Sequence, residues 1–340
     1  MVREESTNGT GIIVGEYSDK AHAEDPEDLR IGEHGYKYRL VDGRVMPPYI
    51  TPARYALSRS VNTRASDICF VSYPKSGSTW LSYIIVLLAG SDRPGVTLRD
   101  SLHWVESSWT YPRSAEDLER AAARRIFKSH MPYSMALGGE PAKNPCRYIY
   151  IARNPKDVCA SYYYFESGKS WSGFYDGGRD HWLNMFVSQR VQRGDWFDRM
   201  LNPCCSMGLR VVSGVEPSPE TVPLLSKDSH YPDLGIDNSH TWIDALSWCE
   251  HHDADNILFL KFEDLKLDTR GQLERIAKFL GVSVSDEQLR GVERKVDFTI
   301  MQKTEFSALK DVKEFNRFFC KGEIGSWKEC STVAQSEAFD

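Results

Sequence analysis

The sequence has no positive charge to spare: 42 lysines and arginines against 48 acidic residues leave a net charge of −6 over 340 residues. A general nucleic-acid binder needs a broad basic surface, so that class is set aside, while a local basic pocket for a small anion remains compatible. Long hydrophobic runs are missing too. The most apolar segment, WLSYIIVLLAG from Trp80, is about half the length of a membrane span. The opening MVREESTNGTGIIVGEYSDK holds only the short apolar run Ile12 to Val14, too little for a signal peptide. The eight cysteines form no C-x-x-C pair, so they read as reduced thiols and not as a zinc site or a disulfide frame. No repeat architecture is visible. These absences predict a cytoplasmic protein without a metal, a membrane segment or a nucleic-acid partner. The 41% hydrophobic and 26% charged residues suit a globular chain with a large core.

Residues 1 to about 33 are polar and without periodicity, and are expected to be a flexible lead-in. Beyond them, short branched and aromatic runs alternate with helical patterns. DICFVSYP from Asp67, RRIFKSH from Arg124, RYIYIAR from Arg147 and NILFLKFEDL from Asn256 read as strands. Helices are expected from about Ser78 to Leu88, over NPKDVCASYYYFES with Asn154 as cap and Pro155 first, and from Asp268 to Leu280. The alternation predicts one α/β domain, residues 34–340, with a central parallel sheet flanked by helices. Ligands of such sheets sit at the carboxyl ends of the strands. One stretch breaks the pattern. Residues 199–240 are rich in Pro, Ser and Gly, and the similar WFD and WID from Trp196 and Trp242 flank them. They are expected to be a surface insertion.

Three polar clusters fall at predicted strand ends. In YPKSGSTW, Tyr73 to Trp80, Gly77 permits a tight turn. Small Ser76, Ser78 and Thr79 leave room for an anion at a helix N-terminus, and Lys75 adds charge. The result is a phosphate-binding strand–loop–helix similar to P-loop nucleotide-binding folds. A kinase or nucleotide-switch P-loop instead needs G-x-x-x-x-G-K-[ST], which is absent. An ordinary Gly-Ser turn is the bland alternative. Trp80 reads equally as core or as a base-stacking platform. In FKSHMP, Lys128 and His130 alternate and point to one face; a lone histidine is commonly structural, but this pairing at a strand end favours a base. In IARNPKDVCASYYYF, Arg153 can fork onto a phosphate, and Ser161 lies about two helical turns further on.

Together these segments resemble the cytosolic sulfotransferase family. YPKSGSTW is similar to its 5′-phosphosulfate loop, RNPKDVCASYYYF to its 3′-phosphate motif, and KSHMP to its K-T-H-L-P segment. KGEIGSWK, Lys321 to Lys328, resembles its R-K-G-x-x-G-D-W-K motif. The resemblance covers roughly residues 35–340 apart from the insertion, with all four motifs in the family's order. It implies transfer of a sulfuryl group from 3′-phosphoadenosine-5′-phosphosulfate (PAPS) to a phenol, alcohol, sterol or amine.

In that case His130 is the general base, Lys75 stabilises the leaving phosphate oxygen, and Lys128 neutralises the sulfuryl group. Ser161 binds the 3′-phosphate and tempers Lys75. Ser76, Gly77, Ser78 and Thr79 hold the 5′ side, and Arg153, Lys321 and Gly322 hold the 3′-phosphate. Trp80, Phe262 and Phe298 contact adenine, Phe262 replacing a more usual tyrosine. Phe165 lines the acceptor pocket, and the aromatic residues around Trp104, Trp109, Tyr133 and Tyr162 to Phe165 suggest an apolar acceptor. Lys328, Thr332, Val333 and Glu337 fit the family's dimerisation pattern. Cys320 and Ser326 depart from the motif's arginine and aspartate, which bears on donor affinity. A catalytically silent nucleotide-binding protein of the same fold is the competing reading, and a P-loop kinase a further one.

Overall fold

The computed structural model describes residues 28–90, 101–107, 114–121, 124–168, 175–188, 190–193, 246–301, 322–329, 332 and 336. The 199–240 segment, Trp109, Cys320, Lys321, Val333 and Glu337 lie outside them. A small antiparallel sheet comes first, formed by β1 (Arg30–Ile31), β2 (Lys37–Val41) and β3 (Arg44–Met46). It was not apparent from the sequence pattern, and β1 already joins it within the stretch expected to be a lead-in. Then follow α1 (Pro52–Arg59), β4 (Ile68–Ser72), α2 (Ser78–Leu88), α3 (Ala115–Arg120), β5 (Ile126–Ser129), β6 (Arg147–Ala152), α4 (Pro155–Glu166) and α5 (Arg179–Val187). The remainder is α6 (Leu246–Glu250), β7 (Ile257–Lys261), α7 (Phe262–Leu267), α8 (Thr269–Leu280), α9 (Asp286–Lys295) and α10 (Phe298–Met301).

β4 to β7 form one parallel sheet in the order β5-β4-β6-β7. Successive side chains of a strand point to opposite faces, and here both faces are covered. Cys69, Val71, Phe127, Tyr148, Tyr150 and Phe259 pack on one side with Val158, Tyr162, Trp182, Phe186 and Trp248 from α4, α5 and α6. Ile68, Phe70, Ile149, Ile151 and Leu260 pack on the other with Leu81, Ile85, Leu273, Ile276 and Leu289 from α2, α8 and α9. This is the helix–sheet–helix sandwich that the alternating pattern predicts. Local signals set the ends of the elements. Asn154 accepts from the Lys156 amide at 3.0 Å ahead of Pro155, and Asp268 accepts from the Gly271 amide at 3.0 Å to start α8. The strand read as NILFLKFEDL is shorter than expected, because the chain turns helical at Phe262. The cysteine reading also needs correction. Cys69, Cys146 and Cys159 are free thiols, but Cys249 is disulfide-bonded.

The amino ends of β4 and β5 are tied by a fully buried ion pair. Arg125 Nε donates to Asp67 Oδ1 at 3.0 Å and Nη2 donates to Oδ2 at 2.5 Å, both side chains being inaccessible to solvent. The Arg64 amide and the Asn62 carbonyl complete the pairing. Removing one partner strands the other charge in the core. Asp67→Ala is therefore expected to lower the unfolding free energy by about 3–5 kcal/mol, measured as a fall in the denaturant midpoint at unchanged slope.

Candidate active site

Ser72 is level with Ile151, and Ala152 with Lys261, so the strands run out along one edge. The three clusters expected at strand ends meet there. After β4 the chain turns through Lys75, at φ 69°, and Gly77, at φ 99°, before α2 begins. A side chain at Gly77 is excluded twice: the left-handed backbone strains it, and a Cβ would come within 2.7 Å of the Phe262 ring. Gly77 stands at the cap position of α2, so the amides of Ser78 and Thr79 open the helix, where the partial positive charge favours an anion. The Ser76 hydroxyl is wholly buried and has no hydrogen-bond partner among the described residues. An unsatisfied hydroxyl in a loop beside a helix N-terminus fits an anionic group as its missing partner. Lys75 Nζ lies 4.5 Å from the centre of the Phe165 ring.

His130 follows β5 directly and is buried. Its Nδ1 lies 2.9 Å from the Ser72 carbonyl oxygen and 3.2 Å from the Ser72 hydroxyl. A carbonyl only accepts, so Nδ1 carries the proton and the lone pair of the neutral ring is on Nε2. Lys128 and His130 converge on Trp104 as their alternation predicts. Lys128 Nζ is 4.2 Å from the Trp104 ring centre, and the imidazole meets that ring edge-on at 5.6 Å. Burial above all, then Arg193 and, more weakly, Lys75, push the Lys128 ammonium down to about 8, while Glu106 pulls the other way.

Arg153, expected to fork onto a phosphate, already has protein partners. It is buried, stacks 4.4 Å from the Phe262 ring centre, and donates to the carbonyls of Lys75 at 3.2 Å and Glu323 at 2.9 Å. It thus bridges the loop after β4 to the C-terminal KGEIGSWK segment. Asp157, one helical turn on, completes that link by accepting from the Gly325 amide at 2.8 Å, the Trp327 amide at 3.0 Å and the Ser326 hydroxyl at 3.1 Å. Ser326, where the family motif has aspartate, is accommodated here as a donor to a carboxylate. Gly322 sits at φ 64°, and a Cβ on it would meet the Phe298 ring at 2.6 Å. Trp80 is anchored through Nε1 to the Val296 carbonyl at 2.9 Å and meets Phe262 edge-on at 5.6 Å. Phe262 is itself buried, a wall behind Gly77 more than an open platform. Ser161 is buried on α4.

Sequence reasoning missed Ser72, Glu106, Asp157 and Arg193. Asp157 lies inside a motif already singled out. Nothing in the sequence marks Glu106 or Arg193, since each reaches the site through folding of distant segments. Among the described residues no group of three or more His, Cys, Asp or Glu could hold a metal ion, and no helix is long and apolar enough to cross a membrane.

A parallel sheet with a glycine-containing loop before a helix after one strand, a lysine and histidine at the end of its neighbour and an arginine after a third defines an α/β protein of P-loop-like architecture. Comparison with known proteins narrows this. A family model described as a sulfotransferase domain matches residues 65–203 and 236–340. Sulfotransferase 2B1 of Mus musculus is 30% identical over 292 residues, covering 82% of this chain and 70% of its own. Sulfotransferase 1C2 of Homo sapiens is 25% identical over 318 residues, covering 89% and 90%. Among solved structures, mouse sulfotransferase SULT7A1 complexed with PAP shares the fold with a TM-score of 0.62, at 24% identity over 92% of this chain and 91% of that one. Retinol dehydratase in complex with androsterone and inactive cofactor PAP does so at 0.62 and 18% identity, over 91% and 85%. The chain belongs to the sulfotransferase family and is a sulfotransferase enzyme.

The Asp157 link generates a direct test. Asn at this position keeps one acceptor oxygen and turns an amide toward the Gly325 N–H. Asp157→Asn is expected to cost about 1.5–3 kcal/mol of stability, read from thermal unfolding, together with faster hydrogen exchange at the Gly325 amide.

Proposed function

We propose that the enzyme moves the sulfuryl group of PAPS in line to a hydroxyl or amine of a small, apolar acceptor, with His130 as general base. The observation that carries this reading is the Nδ1 contact of His130 to the Ser72 carbonyl. It holds the imidazole at the sheet edge in the tautomer whose Nε2 can take a proton. Lys75 and Lys128 supply fixed positive charge, Lys75 toward the leaving phosphate oxygen and Lys128 toward the sulfuryl group, so charge that develops in transfer meets cations already in place. The loop from Ser76 to Thr79 takes the 5′ side of the nucleotide. Arg153, Ser161, Lys321 and Gly322 take the 3′-phosphate, with Ser161 restraining Lys75 until acceptor arrives. Trp80, Phe262 and Phe298 form the adenine end, in keeping with the contacts of Phe262 to Trp80 and Arg153. Phe165, over Lys75, faces the acceptor. The product is 3′-phosphoadenosine-5′-phosphate (PAP), and no metal takes part.

The PAP named with two of the neighbouring structures supports this donor, and androsterone, named with one of them, supports an apolar acceptor. The same reading has the protein act in the cytoplasm, without nucleic acid or membrane, as a homodimer through Lys328, Thr332, Val333 and Glu337. Lys328 and Thr332 are exposed, as an interface requires. Residues 204–235 fall between the two matched stretches of the family model, which supports a surface insertion at about 199–240.

Replacing the base separates chemistry from binding. His130→Ala is expected to abolish transfer to every acceptor in a panel of phenols, sterols and amines, while calorimetric binding of PAP persists. Appreciable residual turnover removes His130 from this role. An alkaline limit is expected as well. Burial lowers the Lys128 ammonium to about 8, so kcat/KM for the donor, which reports the free enzyme, is expected to fall as pH rises through that value. Lys128→Arg, which stays charged, moves the limit upward.

A further inference from the structure

Glu106 belongs to none of the motifs, yet its carboxylate is wholly buried beside the proposed base. Its Oε1 accepts the His130 backbone N–H at 3.1 Å, and its Oε2 has no hydrogen-bond partner among the described residues. Residues 101–107 bring it there by lying parallel along the edge of β5. The His103 amide donates to the Ile126 carbonyl at 2.8 Å, the Lys128 amide donates to the His103 carbonyl at 2.9 Å, and His103 bridges Phe127. That segment also supplies Trp104, which Lys128 and His130 both touch. One stretch of chain therefore holds the main chain of His130, the ring against its imidazole and the ring under the Lys128 ammonium.

A carboxylate taken out of water survives as an anion only where positive charge and hydrogen bonds repay its lost hydration. One hydrogen bond to an amide, with the second oxygen unsatisfied, is a poor return for a purely structural carboxylate. Among the described residues, the charged groups acting on Lys128 are Arg193, Glu106 and Lys75, and Glu106 is the only anion of those three.

We infer that Glu106 is a positioning residue for transfer, whose carboxylate holds the His130 main chain at the sheet edge and whose negative charge acts on Lys128. This rests on the proposed roles of His130 and Lys128. It separates two functions of one side chain, because a hydrogen-bond acceptor suffices for His130 while Lys128 needs the charge.

Two substitutions divide those functions. Glu106→Gln keeps an acceptor oxygen and loses the charge; Glu106→Asp keeps the charge and shortens the reach to the His130 amide. Transfer is measured as kcat/KM for PAPS from pH 6 to 10, which reports the free enzyme, with PAP binding followed by calorimetry. The Gln variant is expected to move the alkaline limit of transfer to lower pH by roughly 1 unit, as loss of an adjacent opposite charge does. The Asp variant is expected to keep the wild-type limit with turnover reduced about tenfold, a loss of roughly 1.4 kcal/mol. Both retain PAP affinity within a few-fold. An alkaline limit in the Gln variant equal to that of wild type overturns the proposal. If the Gln variant does not fold, the Asp variant decides: a limit that moves although the charge is present overturns it equally. Wild-type transfer in the same assay tests the functional reading itself, so an active wild type with an unmoved Gln variant counts against Glu106 alone.

Discussion

Ser72 pairs with Ile151, Val71 with Ser129 and Ala152 with Lys261. The last residues of four parallel strands therefore stand side by side, and whatever follows each strand faces the same space. Separate stretches of chain become one site for that reason. His130 reaches the Ser72 carbonyl because β4 and β5 end within a residue of each other. Arg153 reaches the Lys75 carbonyl because β6 ends alongside β4. A slip of one residue between two strands would exchange the faces of the slipped strand, so the two apolar cores that enforce the register also enforce the site.

Positive charge is concentrated at that edge and restrained by neighbouring groups. Lys75 stands in a left-handed conformation costing about 1–2 kcal/mol for a residue with a Cβ, which the buried turn after β4 imposes. Arg153 spends donors on two carbonyls and rests on the Phe262 ring, so its guanidinium is held in place before any ligand arrives. Preorganisation of this kind removes part of the ordering cost from binding. Asp157 gathers Gly325, Ser326 and Trp327 beside it, and the C-terminal motif is thereby anchored to the helix that carries Ser161.

β4, α2, β6 and α8 lie where apolar periodicity and capping residues put them, because each is decided by interactions a few residues apart. The loop after β4 was legible for a related reason: glycine, small hydroxyl residues and a cation between a strand and a helix specify a local geometry, whereas KGEIGSWK was marked only by its resemblance to the family motif. β7 came out shorter than its apolar run, since Phe262 packs on Gly77 and the chain turns helical there. The β1–β3 sheet escaped notice because its strands are two, five and three residues long, too brief for a period to register.

By itself, the sequence determined the fold class, the position of the glycine-containing loop after β4 and the pairing of Lys128 with His130, all of which depend on residues near one another in the chain. Only the tertiary structure decided which nitrogen of His130 carries its proton, that Arg153 is a buried bridge, that Ser326 answers Asp157, and that Glu106 lies against the His130 amide. Each of those depends on contacts between residues from 24 to 170 positions apart, as from Glu106 to His130 and from Arg153 to Glu323. Such contacts arise when the parallel sheet aligns its strand ends, and local propensity carries no trace of them.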